Sequence, residues 1–543
     1  MSRPREHLTL RVLAVCVALA AALPFGYLVW RTSEYGWSSA LEVATSARSL
    51  ELLWSTLILA VAVTLTAVAI SIPVAWLTVR SDLPGRRFWT VVTALPLAVP
   101  TYVGAWTVIG ALGPRGMVAE VLGDESIPSL YGFWGAWSVL TLFSYPYVLL
   151  TVRAAWSRLD PGLEEASRVL GRTPVHTFVR VVIPQLRPAV TGGALLVALY
   201  TLSDFGAVTM LRYDTFTRAI YVQYRGALDR GAAAVLGLML VILTIAVLRG
   251  EQRLRRGESV HRLHGGGARR AAPVDLGRWR APALAGLTLL VTLSLAVPLA
   301  VIGFWLVRGM RIAEPVWPGI DLVLNSLGVS LAAAAATTAA AVPVVLLARR
   351  APGRLARTVE GLSWSGYALP GIVVALALVF FGAAVVPVAY QTLAMLVFAY
   401  VVLFLPQAIG AVRSSVVQVT PSVEEASLLL GASRRETFRR VMLPLLRPGL
   451  TAGAGLVFLT AMKELPATLL LSPTGFGTLS TRVWNATSEG FLGRSAGPAL
   501  ALVALSSVPM AFLLARSELR ATRRDQAVSK AADAEPSQPT VTV

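Results

Sequence analysis

Apolar stretches of about twenty residues recur from one end of this chain to the other. Each is long enough to cross a hydrocarbon core of about 30 Å as a helix rising about 1.5 Å per residue. The composition agrees, with 55% hydrophobic and 14% charged residues, whereas a soluble surface needs roughly a quarter charged. The expected fold class is all-α, a polytopic membrane protein. Twelve helices are expected, near 10–30, 52–79, 88–112, 131–152, 189–211, 232–248, 283–307, 323–348, 363–387, 390–412, 449–472 and 496–515. The pair 363–387 and 390–412 is nearly fused, and its break rests on Pro387 and Gln391. The first stretch runs past any signal-peptide cleavage site to Tyr27 and Trp30, so it reads as a retained span. Cys16, the only cysteine, excludes an intrachain disulfide and a thiolate metal site, and is expected to be buried in that helix.

Placing the N-terminus inside and alternating the spans puts 36 of the 48 Lys and Arg inside, 11 outside and Lys463 within a span. Acidic residues divide as 16 inside and 11 outside, with Asp204 and Glu464 in spans. The net charge of +19 therefore collects on one face, which the positive-inside rule makes cytoplasmic, with both termini. The basic linker holding Arg253, Arg255, Arg256, Arg269 and Arg270 then lies beside anionic headgroups. This placement points to membrane lipid as the partner of the charge and to no nucleic acid.

The chain is also a duplication. Residues 146–193 recur at 406–453, where Pro146, Arg153, Pro161, Glu164, Glu165, Ala166, Ser167, Gly171, Phe178, Arg180, Pro184, Arg187, Pro188 and Gly193 all have identical mates 260 positions on. Earlier in each half the offset is 270, pairing Pro73 with Pro343, Arg80 with Arg350 and Pro100 with Pro370. An even number of spans per half makes the repeats parallel, related by an axis along the membrane normal, which encloses a central path.

The best matched segments are the longest loops inside each half, 153–188 and 413–448, both on the basic face. Each opens with a turn proline (Pro161, Pro421), then Glu-Glu-Ala-Ser, then a glycine (Gly171, Gly431). A second amphipathic stretch follows, carrying Phe178, Val181 and Val182 in the first copy, and ends at Leu/Ile-Pro. The expected form is a helix–turn–helix lying across the membrane surface, with the glycine in the left-handed conformation after the first helix. Ala166 and Ala426 keep one face low for a partner, and the paired glutamates cap or dock the helix.

These loops, Glu165-Ala166-Ser167 through Gly171 to Pro184, and Glu425-Ala426-Ser427 through Gly431 to Pro444, resemble the EAA loops of ATP-binding-cassette (ABC) importer permeases. The resemblance covers roughly 50–250 and 320–516, and implies twelve transmembrane helices in two parallel six-helix repeats of the type I ABC importer permease fold. It implies coupling surfaces at Glu164, Glu165, Ala166, Ser167, Gly171 and Pro184, and at Glu424, Glu425, Ala426, Ser427, Gly431 and Pro444, each seated in one of two ATPase subunits. Serine in place of the second alanine is a mild departure that keeps the residue small. The implied layout is an N-terminal span and external loop (1–50), a first permease domain (51–250), the basic cytoplasmic linker (251–281), a seventh span with its loop (282–319), a second permease domain (320–516) and a disordered cytoplasmic tail (517–543). Such a subunit sits in the bacterial inner membrane and takes its substrate from an external or periplasmic binding protein.

The chain has no ATPase site of its own: its two lysines, Lys463 and Lys530, are in no phosphate-binding loop. ATP and magnesium are expected to be used by the partner, with no cofactor bound by this chain. The histidines His7, His176, His261 and His264 form no metal cluster with other ligands, and no metal site is assigned. Charges at depth occur only in the fifth span of each half, at Asp204 and at Lys463 and Glu464. They read either as the lining of a translocation path or as an ion pair, Lys463 with Asp204 across the axis. Tyr200 and Asp204 fall four apart on one helix face, where oxygen ligands suit a hard cation. The surroundings of Asp204 and the stretch Glu464-Leu-Pro-Ala-Thr-Leu-Leu-Leu are similar to the fused permeases of ferric-iron importers, with thiamine importers sharing the same layout. A secondary transporter would need coupling charges in several spans, and a membrane enzyme would need a nucleophile–base or metal constellation.

Overall fold

The computed structural model describes residues 3–114, 116–123, 130–227, 230–255 and 273–511. Among these residues the chain is helical apart from one isolated bridge, Ser81 with Val274. Among the described residues nine helices are long and apolar enough to cross a membrane, and up to eleven spans result when two bent helix pairs each count once. The last expected span falls on a helix at 492–511; its final residues, the tail 517–543 and linker residues 256–272 lie outside the described residues, with His261, His264, Arg256, Arg269 and Arg270 among them.

Single helices stand where the apolar runs place them, at Arg3–Tyr35, Ala47–Arg80, Phe133–Trp156, Arg230–Arg255, Ile320–Arg350 and Leu393–Val416. The expected break between 387 and 390 is present. Gly371–Ala384 ends there, Gln391 takes φ 53°, and the Thr392 hydroxyl caps the next helix by accepting from the Met395 amide. Cys16 is exposed, contrary to expectation, because the first helix turns Ala14, Ala18 and Ala21 to the bundle and leaves Cys16 on its outer face.

Two expected spans are not straight. The helices expected at 88–112 and 363–387 bend at Pro100 and Pro370, by 91° and 107°. A proline disfavours the helical conformation at the residue before it, and Val99 and Leu369 are extended, with ψ 124° and 108°. The fifth spans differ more. They run from the loops without interruption, as Pro174–Ser203 and Arg434–Met462, and stop short of their expected ends. The second amphipathic stretch of each loop is thus the base of the fifth span and not a helix of its own. What joins them is a π-helical turn, Phe178–Val182 and Phe438–Met442, just before Pro184 and Pro444. Proline lacks an N–H and clashes with the carbonyl four residues back, and a π-turn opens the ladder at that point. The seventh span repeats the device, with a π-turn at Thr292–Ala296 before Pro298.

Within each half, Ala47–Arg80 packs along Phe133–Trp156, and Ile320–Arg350 along Leu393–Val416. The first span of each half reaches across to the other half. Arg3–Tyr35 packs on Ile320–Arg350 and Gly371–Ala384, and the Tyr27 hydroxyl donates to the Phe380 carbonyl at 3.2 Å. The seventh span packs on Thr101–Leu112, where the Trp305 indole donates to the Gly110 carbonyl at 2.9 Å. The halves are therefore interlocked around a shared interior.

Candidate functional site

The two loops adopt one structure twice. Helices Pro161–Val169 and Pro421–Leu429 each start at proline, whose missing N–H costs nothing at the first helical position. Each ends in a Schellman motif: the Gly171 amide donates to the Arg168 carbonyl and the Arg172 amide to the Ser167 carbonyl, and Gly431 and Ala432 do the same on Leu428 and Ser427. Gly171 and Gly431 have φ 75° and 86°, the left-handed conformation the motif requires.

The paired glutamates have separate roles, and neither is the cap. In the first loop the cap is Asp160, which accepts from the Gly162 amide. Glu164 turns inward to Arg80 at 2.5 Å, and Glu424 to Arg350 at 2.5 Å. Each arginine ends the helix it belongs to, so the loop is pinned to the base of the second span of its half. Ser167 also turns inward, its hydroxyl 2.8 Å from that of Thr177, and Ser427 lies 3.0 Å from Thr437. The serine is thus a hydrogen-bonding strut between the loop helix and the fifth span, beyond being small. Glu165, Ala166, Glu425 and Ala426 are exposed. Beside them are apolar tips missed in the sequence: Val169 and Leu170 are 87% and 78% exposed, and Leu429 and Leu430 both 88%. A signal was present in that these residues interrupt a polar loop, but helix spacing does not say which face is free.

In the interior, the fifth spans end at Ser203 and Met462, and the charged residues sit at these breaks, not on a continuous helix face. Asp204 is 8% exposed. One of its oxygens accepts from the Ala207 and Val208 amides, at 3.0 and 3.3 Å, and caps the short helix Gly206–Met210. The other accepts from Thr101 at 2.5 Å. Tyr200 donates to the same Thr101 hydroxyl at 3.5 Å, so Tyr200 and Asp204 converge on a third residue and present no open ligand pair. Glu464 is the counterpart of Asp204: it accepts from the Ala467 amide at 3.2 Å and caps Pro466–Leu471.

By the 270-residue offset, Thr101 in the first half corresponds to Gly371 in the second. A side chain on Gly371 would come within 2.9 Å of Glu464. The shorter acid, Asp204, thus stands against the larger Thr101, and the longer acid, Glu464, against Gly371. Both carboxylates lie beside the N-terminus of the helix after the bend, Thr101–Leu112 or Gly371–Ala384, where its dipole favours negative charge.

Of the two alternatives for these charges, the ion pair is not formed. Lys463 donates to the Leu97 carbonyl of the first half at 3.0 Å, and no ion pair joins it to Asp204. The reason is that each carboxylate is already held by backbone amides at its own break. Across the axis, Phe205 and Tyr221 of the first half close on Trp484 of the second, with ring centres 4.9 to 6.0 Å apart. These aromatics are far apart in sequence, and nothing in the pattern joined them.

A family model described as the binding-protein-dependent transport system inner membrane component matches residues 67–257 and 341–516. An Fe(3+)-transport system permease protein, FbpB 2, of Haemophilus influenzae is 34% identical over 515 residues, 94% of this chain and 98% of that protein. A ferric transport system permease protein, FbpB, of Actinobacillus pleuropneumoniae is 25% identical over 424 residues, 74% of this chain and 61% of its own length. A sulfate transport system permease protein, CysT, of Salmonella typhimurium is 29% identical over 208 residues, 38% of this chain and 75% of that protein. With the family model matched once in each half, the chain belongs to the binding-protein-dependent inner membrane permeases of ABC transporters.

Proposed function

We propose that the chain is the whole translocation unit of an iron(III) importer. It receives its cargo from an external binding protein and is driven by two copies of a separate ATPase subunit. Both termini and both EAA loops face the cytoplasm of a bacterial inner membrane. The observation that carries the coupling role is the pair of matching loop tips, where Glu165, Ala166, Val169 and Leu170, and Glu425, Ala426, Leu429 and Leu430, project from helices pinned at their inner faces. Exposed leucine and valine beside a small, acidic face suit burial in a protein groove. Two such tips on one chain call for two copies of one ATPase, which hydrolyses ATP with magnesium; this chain binds no cofactor.

Iron(III) as cargo is supported by the end-to-end likeness to a relative named for Fe(3+) transport, whereas the likeness to the sulfate permease covers less than half of the chain. The interior carboxylates serve as helix caps, so selectivity rests chiefly on the binding protein. Uptake of radio-iron by cells carrying this chain, its ATPase and its binding protein tests the proposal. Replacing Ala166 and Ala426 by Trp should abolish uptake with the protein still in the membrane. Thiamine uptake in place of iron would favour the thiamine alternative, and uptake without any ATPase would favour a secondary transporter.

A further inference from the structure

Where Ile320–Arg350 ends beside the second EAA loop, the helices Arg354–Ser363 and Leu393–Val416 leave a cavity of about 300 Å³. Val345, Ile409 and Val416 contribute to its apolar walls, and three charged side chains reach it: Arg349, Glu360 and Arg413. Glu360 and Arg413 pair with each other. Arg349 is left over. Both terminal nitrogens of its guanidinium are buried and have no hydrogen-bond partner. A guanidinium withdrawn from water needs an anion, and its planar fork matches the oxygens of a phosphate. The first half lacks these two charges, with Val79 and Thr90 at the positions of Arg349 and Glu360.

We propose that this cavity binds the phosphate of an anionic phospholipid from the adjoining leaflet. Arg349 takes the phosphate, and the apolar walls take the glycerol and the start of the acyl chains. The volume is at the lower end of ligand pockets, enough for a headgroup whose chains remain in the bilayer. Basic pockets between helices on the cytoplasmic side recognise such headgroups. The inference rests on the cytoplasmic placement of the loops and on nothing about the cargo. Val416 leads within a few residues to Pro421–Leu429, so an occupant braces the root of the second loop alone. Free phosphate is the other source of the same chemistry.

The test uses the purified full chain in detergent, stripped of lipid. Its melting temperature is measured with added phosphatidylglycerol, phosphatidylcholine or inorganic phosphate, and retained lipid is counted by native mass spectrometry. Phosphatidylglycerol should raise the melting temperature of the wild type and phosphatidylcholine should not. Arg349→Met should lose that shift and one retained phosphatidylglycerol, while Arg349→Lys, which keeps the charge, should retain part of it. An equal shift from inorganic phosphate, also lost in Arg349→Met, assigns the site to free phosphate and overturns the lipid source. Equal shifts in wild type and Arg349→Met, or no shift in either, overturn the site. Neither readout involves transport, ATP or sidedness, so failure here leaves the importer reading standing.

Discussion

Replacing Arg80 by Gln should loosen the first EAA loop without removing any residue that faces the ATPase. Arg80 and Glu164 are 2.5 Å apart, and each side chain is 13% exposed. Breaking a fully buried pair on one side costs about 3–5 kcal/mol, and exposed pairs are worth under about 1 kcal/mol. At this depth the loss should be about 2–3 kcal/mol, which at 1.4 kcal/mol per factor of ten is roughly 30- to 140-fold in local opening. Amide hydrogen exchange reads this at Leu170, Gly171 and Arg172, whose amides close the end of the loop helix. Glu164→Gln should behave alike, and the double variant should be less affected than the sum of the two. Glu165→Gln, on the exposed face, should leave exchange within about twofold and reduce only ATPase binding. Rates within twofold of wild type in Arg80→Gln, or strictly additive losses in the double variant, would refute the anchoring role.

Three further outcomes follow from the geometry. Gly371→Thr alone should lower membrane accumulation, because its side chain meets Glu464, and adding Glu464→Asp should restore it by rebuilding the Thr101–Asp204 arrangement; immunoblots of membranes measure both. Asp204→Leu leaves two amides and a hydroxyl buried without an acceptor, at about 1–3 kcal/mol each, so it should accumulate poorly, and adding Lys463→Met should bring no recovery. The Asp82 carboxyl is held below its usual range, first by the Leu276 amide and then by Arg280. A depressed carboxyl stabilises the fold above its unfolded pKa of about 4 and loses that contribution as pH falls through the lower folded value. Exchange at Leu276, corrected for intrinsic rates, should therefore be flat from about pH 5 to 8, and Asp82→Asn should raise it at pH 7.

The spans were legible because apolar length is all that a bilayer asks of a helix, and the duplication because identical residues recur at a fixed spacing. Gly171 and Gly431 were legible for a local reason, since a left-handed helix end wants glycine whatever surrounds it. What sequence left open depends on distant partners. Arg80 and Glu164 are both visible as repeated residues, yet 84 positions separate them, and no periodicity shows that they meet. The placement of Asp204 within a span failed because a charged residue in an apolar run reads as a helix interior; only the Thr101 hydroxyl and two following amides reveal a helix end. Pro184 reads as a terminator, which it would be without the π-turn that admits it.

In the proposed function this chain couples ATP hydrolysis by a partner to iron(III) import. The most direct test of this coupling is iron uptake and ATP hydrolysis measured together in proteoliposomes holding this chain, with and without its ATPase and iron-loaded binding protein. The chain alone should show no hydrolysis, and the iron-loaded binding protein should stimulate hydrolysis when the ATPase is present. Iron should accumulate only in that combination. Uptake driven by an ion gradient without ATPase, or hydrolysis that the iron-loaded protein leaves unchanged, would contradict that coupling.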